Sequence, residues 1–277
     1  MTPDQRSLRD RIEDPVFQQA VDAIDGGKIG VLHRLLTAHP DLVQRRAHFD
    51  DLDYFRSPSL LAFVAENPVR NDRLPPNIVE IAGLLLDAGA AQDIDDLDET
   101  LALVASGRVA REAGLQEGLI QLLLQYGARP DQAMNPALMH GEFPAAEALL
   151  RGGAGMTLPV AAALGDLPDV VRLLAGSGLT ERHLAFAFAA QHGRVAVLRL
   201  LLDAGEDPNR HNPQGAHAHS TALHQAVWYG HDEAVRVLLE YGARTDLKDS
   251  LWGATPIDWA RHAGKASIEK LLTESRR

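Results

Sequence analysis

Cysteine is absent from the 277-residue sequence. Disulfide bonds, cysteine-ligated zinc, iron–sulfur clusters and thiol catalysis are therefore excluded. Hydrophobic runs are short, and none approaches the roughly 20 residues that a membrane-spanning helix needs. The segment from Met1 to Asp14 is charged and has no apolar core, so no signal peptide is expected there. These absences predict a cytoplasmic protein without a membrane partner.

Basic residues are in short supply. The sequence has 27 Lys and Arg against 38 Asp and Glu, which gives a formal net charge of −11. This deficit argues against a nucleic acid as partner, because binding to phosphates depends on basic side chains. A basic protein partner would suit the net charge better.

Established catalytic and metal-binding motifs are missing as well. The sequence contains no glycine-rich phosphate loop, no G-x-S-x-G motif and no H-E-x-x-H motif. The acidic segment 93–99 lacks the central glycine and the late glutamate of a calcium-binding loop, so it is predicted to be a solvated acidic loop. We therefore expect no cofactor and no metal ion.

The most informative part of the sequence starts at Thr221. It reads Thr221-Ala222-Leu223-His224-Gln225-Ala226, and Thr255-Pro256-Ile257-Asp258-Trp259-Ala260 begins a degraded copy 34 residues later. The hydroxyl of Thr221 can accept from a free N–H at the start of a helix, and Gly230 can end that helix in a left-handed conformation. A second helix follows and ends near Leu238 and Leu239. Because one such pair of helices cannot bury its apolar face alone, several stacked copies are required.

This pattern resembles the ankyrin repeat, in which a T-P-L-H-x-A start and a Gly-Ala end recur about every 33 residues. The resemblance is to a bacterial-type, stand-alone ankyrin repeat protein. It implies an all-α solenoid whose first helices and finger loops form a concave protein-binding surface. It also implies that His224 ties neighbouring loop backbones together. The resemblance extends over nearly the whole chain but is strong only in residues 181–272.

Leucine-rich helix ends mark the other copies, and they predict about eight helical pairs in a single array over residues 1–277. The pairs at the two ends are expected to act as caps. The predicted parts of the array are an N-terminal capping pair (1–48), irregular repeats (49–180), well-matched repeats (181–272) and a tail (273–277). Residues 106–116 are predicted to be a lengthened turn, and residues 206–220 an enlarged finger loop.

Three histidines in and near this enlarged loop, His211, His217 and His219, are not explained by the repeat pattern. His217 and His219 are two residues apart, so in an extended segment their side chains would point to one face. They could pack on adjacent loops, contact a ligand or partner, or serve in metal binding or acid–base catalysis. These alternatives stay open at the level of sequence.

Aromatic residues gather in the same part of the chain. All three tryptophans follow position 227, and Trp228, with Tyr229 beside it, falls near the end of a first helix that would line the concave face. Trp252 falls in the next finger loop, close to Asp249. An exposed tryptophan beside polar groups is a usual binding anchor. Trp259 is instead predicted to pack in the C-terminal cap.

A second group of candidate binding residues lies upstream, in an irregular finger loop. Asp53, Tyr54 and Arg56 combine charge with an aromatic ring there.

Two classes of function follow from these residues. The first is an interaction module that binds a protein partner on its concave surface and finger loops. The second is a small-molecule-binding protein or an enzyme that uses the three histidines with the nearby aromatic and acidic residues. A closed cleft around His217, His219 and Trp228 would favour the second class, and a broad open groove the first. Without an established catalytic motif, the catalytic residues are unknown and the enzyme assignment stays undecided.

Overall fold

The computed structural model describes residues 6–52 and 54–275, and these residues form sixteen α-helices, short 3₁₀ helices and no strands. The all-α prediction is therefore confirmed. The chain folds as two compact units, Met1–Gly155 (unit 1) and Met156–Arg277 (unit 2). The single array predicted for residues 1–277 stays a prediction. No helix in the described ranges is both long and apolar enough to cross a membrane.

Unit 1 contains the first eight α-helices. They are α1 (Pro15–Asp25), α2 (Ile29–Ala38), α3 (Ile78–Asp87), α4 (Ile94–Ala105), α5 (Arg108–Glu112), α6 (Gln116–Gln125), α7 (Pro130–Met139) and α8 (Phe143–Arg151). Four pairs are in contact: α1 with α2, the 3₁₀ helix Leu61–Ala65 with α3, α4 with α6, and α7 with α8.

Unit 2 contains the other eight α-helices. They are α9 (Leu158–Leu164), α10 (Leu167–Leu174), α11 (Leu179–Gln191), α12 (Val195–Asp203), α13 (Ala222–Tyr229), α14 (Asp232–Glu240), α15 (Pro256–His262) and α16 (Ala266–Glu274). Consecutive helices pair in order along the unit. Together the described parts of the two units hold eight helical pairs, as the leucine pattern predicts.

Local sequence sets the ends of the first helices in the last two pairs. Thr221 and His224 form a reciprocal capping box at the start of α13, and Thr255 and Asp258 form one at the start of α15. Each box satisfies backbone N–H groups that the first turn of a helix leaves without a partner. Gly230 then ends α13 with φ at 79°, a left-handed conformation that glycine adopts without steric cost.

The core of unit 2 combines alanines on the first helices with larger aliphatic side chains on the second helices. Ala185, Ala189 and Ala226 are fully buried on α11 and α13, and Leu201 and Leu238 are fully buried on α12 and α14. Small residues let the first helices approach closely, and the leucines fill the space between neighbouring pairs. This packing fixes the positions from which α13 and α15 present their remaining side chains.

The acidic segment 93–99 is not a solvated loop, so that prediction is wrong. Asp93 caps α4, accepting hydrogen bonds from the N–H groups of Asp95 and Asp96. Asp96 and Asp98 are buried, and each pairs with an arginine from elsewhere in unit 1: Arg46 at 3.0 Å and Arg129 at 2.5 Å. Carboxylates near a helix N-terminus are favoured by the helix dipole, so the acidic run starts a helix.

The lengthened turn predicted for residues 106–116 is only partly correct. Residues Arg108–Glu112 form the short helix α5 inside it. Val109 and Ala110 are buried there, and their apolar side chains hold α5 against the rest of unit 1.

Candidate functional site

The enlarged loop between α12 and α13 has no helix, as predicted, and is held in a defined shape by its own backbone. The Asn212 N–H donates to the Ser220 carbonyl at 2.8 Å, and the Ser220 N–H donates to the His217 carbonyl at 3.0 Å. His217 adopts a left-handed conformation with φ at 54°. The loop therefore brings His217 and His219 back towards the start of α13.

Three indole rings meet beside this loop. Trp259, on α15, is 8% exposed, whereas Trp228 at the end of α13 is 42% exposed and Trp252 is 70% exposed. The ring centroids of Trp228 and Trp259 are 5.8 Å apart, and those of Trp252 and Trp259 are 5.9 Å apart. Trp259 therefore lies at the base of the group, with an exposed indole on either side.

Asp249 holds the base of this group in place. Its carboxylate accepts hydrogen bonds from the N–H groups of Leu251, Trp252 and Ala254, and from the indole N–H of Trp259 at 3.0 Å. Burial raises the pKa of Asp249, but these hydrogen bonds to the carboxylate outweigh that effect and keep the pKa below its usual value. Asp249 is therefore ionised at neutral pH, and it positions both Trp252 and Trp259.

The histidines divide into two groups. The ring of His211 donates from Nε2 to the Lys248 carbonyl at 3.1 Å, and so connects two finger loops. His219 contacts His217 and Trp252 at ring-centroid distances of 6.0 and 5.4 Å. Burial lowers the pKa of His219, which favours a neutral imidazole at neutral pH.

These side chains line a partly open pocket of about 670 Å³ within unit 2. We call it the tryptophan pocket, and it is lined by His217, His219, Gln225, Trp228, Tyr229, Trp252, Ala254, Asp258, Trp259 and His262. Five of the candidate residues named from the sequence therefore line one pocket. His211 and Asp249 lie outside the lining, and their role as binding residues stays a prediction.

Five lining residues were not among the sequence candidates: Gln225, Ala254, Asp258, Trp259 and His262. The repeat register could have found His262, because it is equivalent to the candidate Trp228. Counted from Thr221 and Thr255, Gln225 and Trp259 hold the same position in successive first helices, and so do Trp228 and His262. The rings of Trp228 and His262 stack with centroids 6.1 Å apart. Stacked repeats place equivalent positions of neighbouring first helices side by side.

The upstream candidates belong to unit 1. Asp53 lies outside the described residues. Tyr54 is exposed, with its hydroxyl 3.4 Å from Asn67 Oδ1, and Arg56 is also exposed. Their role in binding stays a prediction.

Metal binding would need several ligating side chains at one place. Within residues 6–52 and 54–275, no group of three or more histidine, aspartate or glutamate side chains is arranged to hold a metal ion.

Comparison with known proteins identifies the family. A model of ankyrin repeats matches residues 158–249 and 187–276. A rat cyclin-dependent kinase 4 inhibitor B is 30% identical over 128 residues, which cover 45% of this chain and 95% of the inhibitor. The chain therefore belongs to the ankyrin repeat family, as its T-x-L-H-x-A motif predicts, and this membership supports a protein-interaction module.

Other relatives are larger proteins. A mouse B-cell lymphoma 3 protein homolog is 36% identical over 121 residues, which cover 40% of this chain and 26% of the homolog. An E3 ubiquitin-protein ligase of Arabidopsis thaliana is 32% identical over 126 residues, which cover 43% of this chain and 24% of the ligase. The chain thus spans about a quarter of the length of these two relatives. Since the relatives named here are eukaryotic, they give no support to a bacterial type.

Proposed function

We propose that the chain is a protein-interaction module that binds its partner through the tryptophan pocket. The observation that carries this proposal is the pair of exposed indoles, Trp252 and Trp228, on either side of the buried Trp259. Large aromatic side chains exposed at the edge of a pocket are typical anchors of protein interfaces. A cytoplasmic location, which the sequence led us to expect, is part of the same proposal.

The surroundings of the pocket support a protein partner further. Tyr229, which also lines the pocket, is 42% exposed. Exposed apolar side chains that cluster in this way are typical of interaction surfaces. The related rat protein is named as an inhibitor of a kinase, and 95% of its length is covered by this chain. A short run of these repeats is therefore a suitable scaffold for contact with another protein.

A second candidate function is the binding of a small molecule. The volume of the pocket, about 670 Å³, favours it, because small-molecule sites occupy roughly 300–1,000 Å³. The lining also contains His217, His219 and Trp228, although the expectation for this class was a closed cleft around these residues and the pocket is partly open.

Replacement of Trp252 tests the proposal. A pull-down from the native host with mass spectrometry for proteins and small molecules identifies the partner, whose affinity is then measured by titration calorimetry. We expect Trp252→Ala to weaken binding by about thirtyfold or more, because a tryptophan anchor contributes about 2 kcal/mol or more.

Leu251→Ala is the matched control, since Leu251 is equally exposed and adjacent but does not line the pocket. It should bind almost as the unmodified protein does. Unchanged affinity in both Trp252→Ala and Trp228→Ala would contradict the proposal. Capture of a small molecule whose binding needs Trp252, without any protein partner, would favour the second candidate instead.

The role of the histidines is tested by a double variant, His217→Ala with His219→Ala. If the imidazoles contact the partner, affinity falls while the thermal unfolding midpoint is retained. If they only pack the loop against Trp252, the midpoint falls and the affinity is retained. Measuring both quantities on the same protein separates these roles.

A further inference from the structure

The three indoles of the tryptophan pocket form an open box. The plane of Trp228 is inclined by 75° to that of Trp259, and the plane of Trp252 is inclined by 62° to it. His219 adds a ring at 85° to Trp252. All four rings line the same cavity. A compact group placed between them would contact aromatic rings from several directions at once.

The electrostatic surroundings of this box are negative. The Asp249 carboxylate accepts the indole N–H of Trp259, and a negative charge at that position increases the electron density of the ring. Asp258 contributes a carboxylate to the lining itself. Arg261 lies 3.7 Å from Asp258 but pairs more closely with Glu269, at 2.8 Å. The chain as a whole carries a net charge of −11.

The imidazoles of His219 and His224 add little positive charge beside the box at neutral pH. Burial lowers the pKa of His219, and it lowers the pKa of His224 to about 4. Neutral rings do not repel a cation, and aromatic faces attract one through their quadrupole.

We propose that the tryptophan pocket takes an alkylammonium group, the head of a lysine side chain, bare or methylated, on a basic segment of the partner. This inference rests on the proposed function and names the chemistry that the pocket recognises. The mutually inclined rings fit a compact head better than a flat guanidinium, which would stack on one face. The carboxylates disfavour an anion, and the negative net charge complements a basic segment.

Two small probes of the same shape, one charged and one neutral, measure the effect of the charge on binding. Choline carries a quaternary ammonium, and 3,3-dimethylbutan-1-ol replaces its nitrogen by carbon. Binding of each is followed by tryptophan fluorescence and by the indole N–H resonances of Trp228 and Trp252. We expect choline to bind about tenfold more tightly than the neutral alcohol, because a desolvated cation on aromatic rings gains this much or more. Nα-acetyl-lysine amide and its trimethylated form then distinguish a bare from a methylated head.

Variants of the box provide the second arm. Trp252→Leu retains an apolar side chain without the aromatic face, and it should weaken choline binding about tenfold while the neutral alcohol changes little. Asp258→Asn removes one charge and retains an acceptor for the cap at Thr255, so it should weaken choline selectively. Leu251→Ala should leave both affinities unchanged. Circular dichroism and the unfolding midpoint verify that each variant is folded.

The outcomes separate this inference from the proposed function. Equal affinity for choline and the alcohol, or binding of neither, would overturn the ammonium site. If Trp252→Ala nevertheless abolished partner binding, the pocket would be a purely apolar anchor, and the proposed function would stand without the inference. Selective binding of choline with no effect of Trp252→Ala on the partner would support the ammonium site and overturn the proposed function.

Discussion

Leu238→Ala is expected to lower the free energy of unfolding by about 2–5 kcal/mol, the usual cost of removing a buried leucine side chain. Leu238 is fully buried on α14, which packs against both α12 and α16. The substitution leaves a cavity between neighbouring helical pairs that neither can fill without moving. Urea unfolding followed by circular dichroism measures the change, and Leu201→Ala should give a change of the same size for the same reason.

A control variant, and the helices in which amide exchange accelerates, provide two further tests. Leu251→Ala, at an exposed leucine, should change the free energy of unfolding by no more than about 0.5 kcal/mol. Because each pair is stabilised by its immediate neighbours, amide exchange in Leu238→Ala should accelerate first in α16, and least in α9 and α10. Equal acceleration in α9, α10 and α16 would contradict nearest-neighbour coupling within unit 2.

Acidification should destabilise the protein through His224. Its Nδ1 accepts from the Thr221 N–H at 3.3 Å, and its Nε2 donates to the Ala254 carbonyl at 3.2 Å. This arrangement needs the neutral ring. Burial, which is the main cause, lowers the pKa of His224 from 6.5 to about 4, although the hydrogen bond to Ala254 raises it. Protonation at Nδ1 would remove the acceptor on which the cap of α13 depends.

The sign and size of the effect follow from proton linkage. The unfolded chain binds a proton at His224 below about pH 6.5, and the folded chain does so only near pH 4, so the stabilisation is complete above pH 6.5 and is lost as the pH falls through this window. One pKa unit corresponds to about 1.4 kcal/mol, which gives a loss of about 3 kcal/mol from this residue between pH 7 and pH 4.

A series of urea unfolding curves between pH 7 and pH 4 measures this loss. His224→Gln should be less stable at pH 7 and should show a shallower dependence on pH, because the titrating group is gone. His33→Gln, at an exposed histidine of unit 1, controls for the removal of an imidazole. An unchanged slope in His224→Gln would show that other groups account for the acid sensitivity.

Much of the candidate site was predictable because the repeat pattern places the residues that start and end helices at fixed positions. The threonine at position 221, the glycine at 230 and the leucine pairs define the helix ends, so Trp228 could be assigned to a first helix and Trp252 to the next finger loop. The sequence grouped the loop histidines with these tryptophans because they are neighbours in sequence, and His217 and His219 line the pocket with Trp228 and Trp252. Their contact with each other, however, depends on the left-handed backbone at His217, which no sequence pattern here indicated.

Trp259 illustrates what the repeat pattern does not predict. Its position suggested simple packing in the last helical pair, and it is indeed buried. Two contacts with other segments determine what surrounds its ring. The Asp249 carboxylate accepts a hydrogen bond from its indole N–H, and the packing of α15 against α13 places Trp228 beside it. Neither contact can be predicted from the pattern of a single repeat, because both contacts join residues of different segments.

The sequence by itself determined the family, the all-α class, the number of helical pairs and the chain segments that carry the unusual aromatic and histidine residues. These properties depend on caps, glycines and hydrophobic spacing, which act over a few residues. Only the tertiary structure decided that Trp228, Trp252 and Trp259 enclose one pocket, that Asp249 supports it from behind, and that His211 instead connects two loops. The physical reason is that ring orientation and hydrogen-bond pairing depend on how successive helical pairs stack, which brings together side chains far apart in the chain.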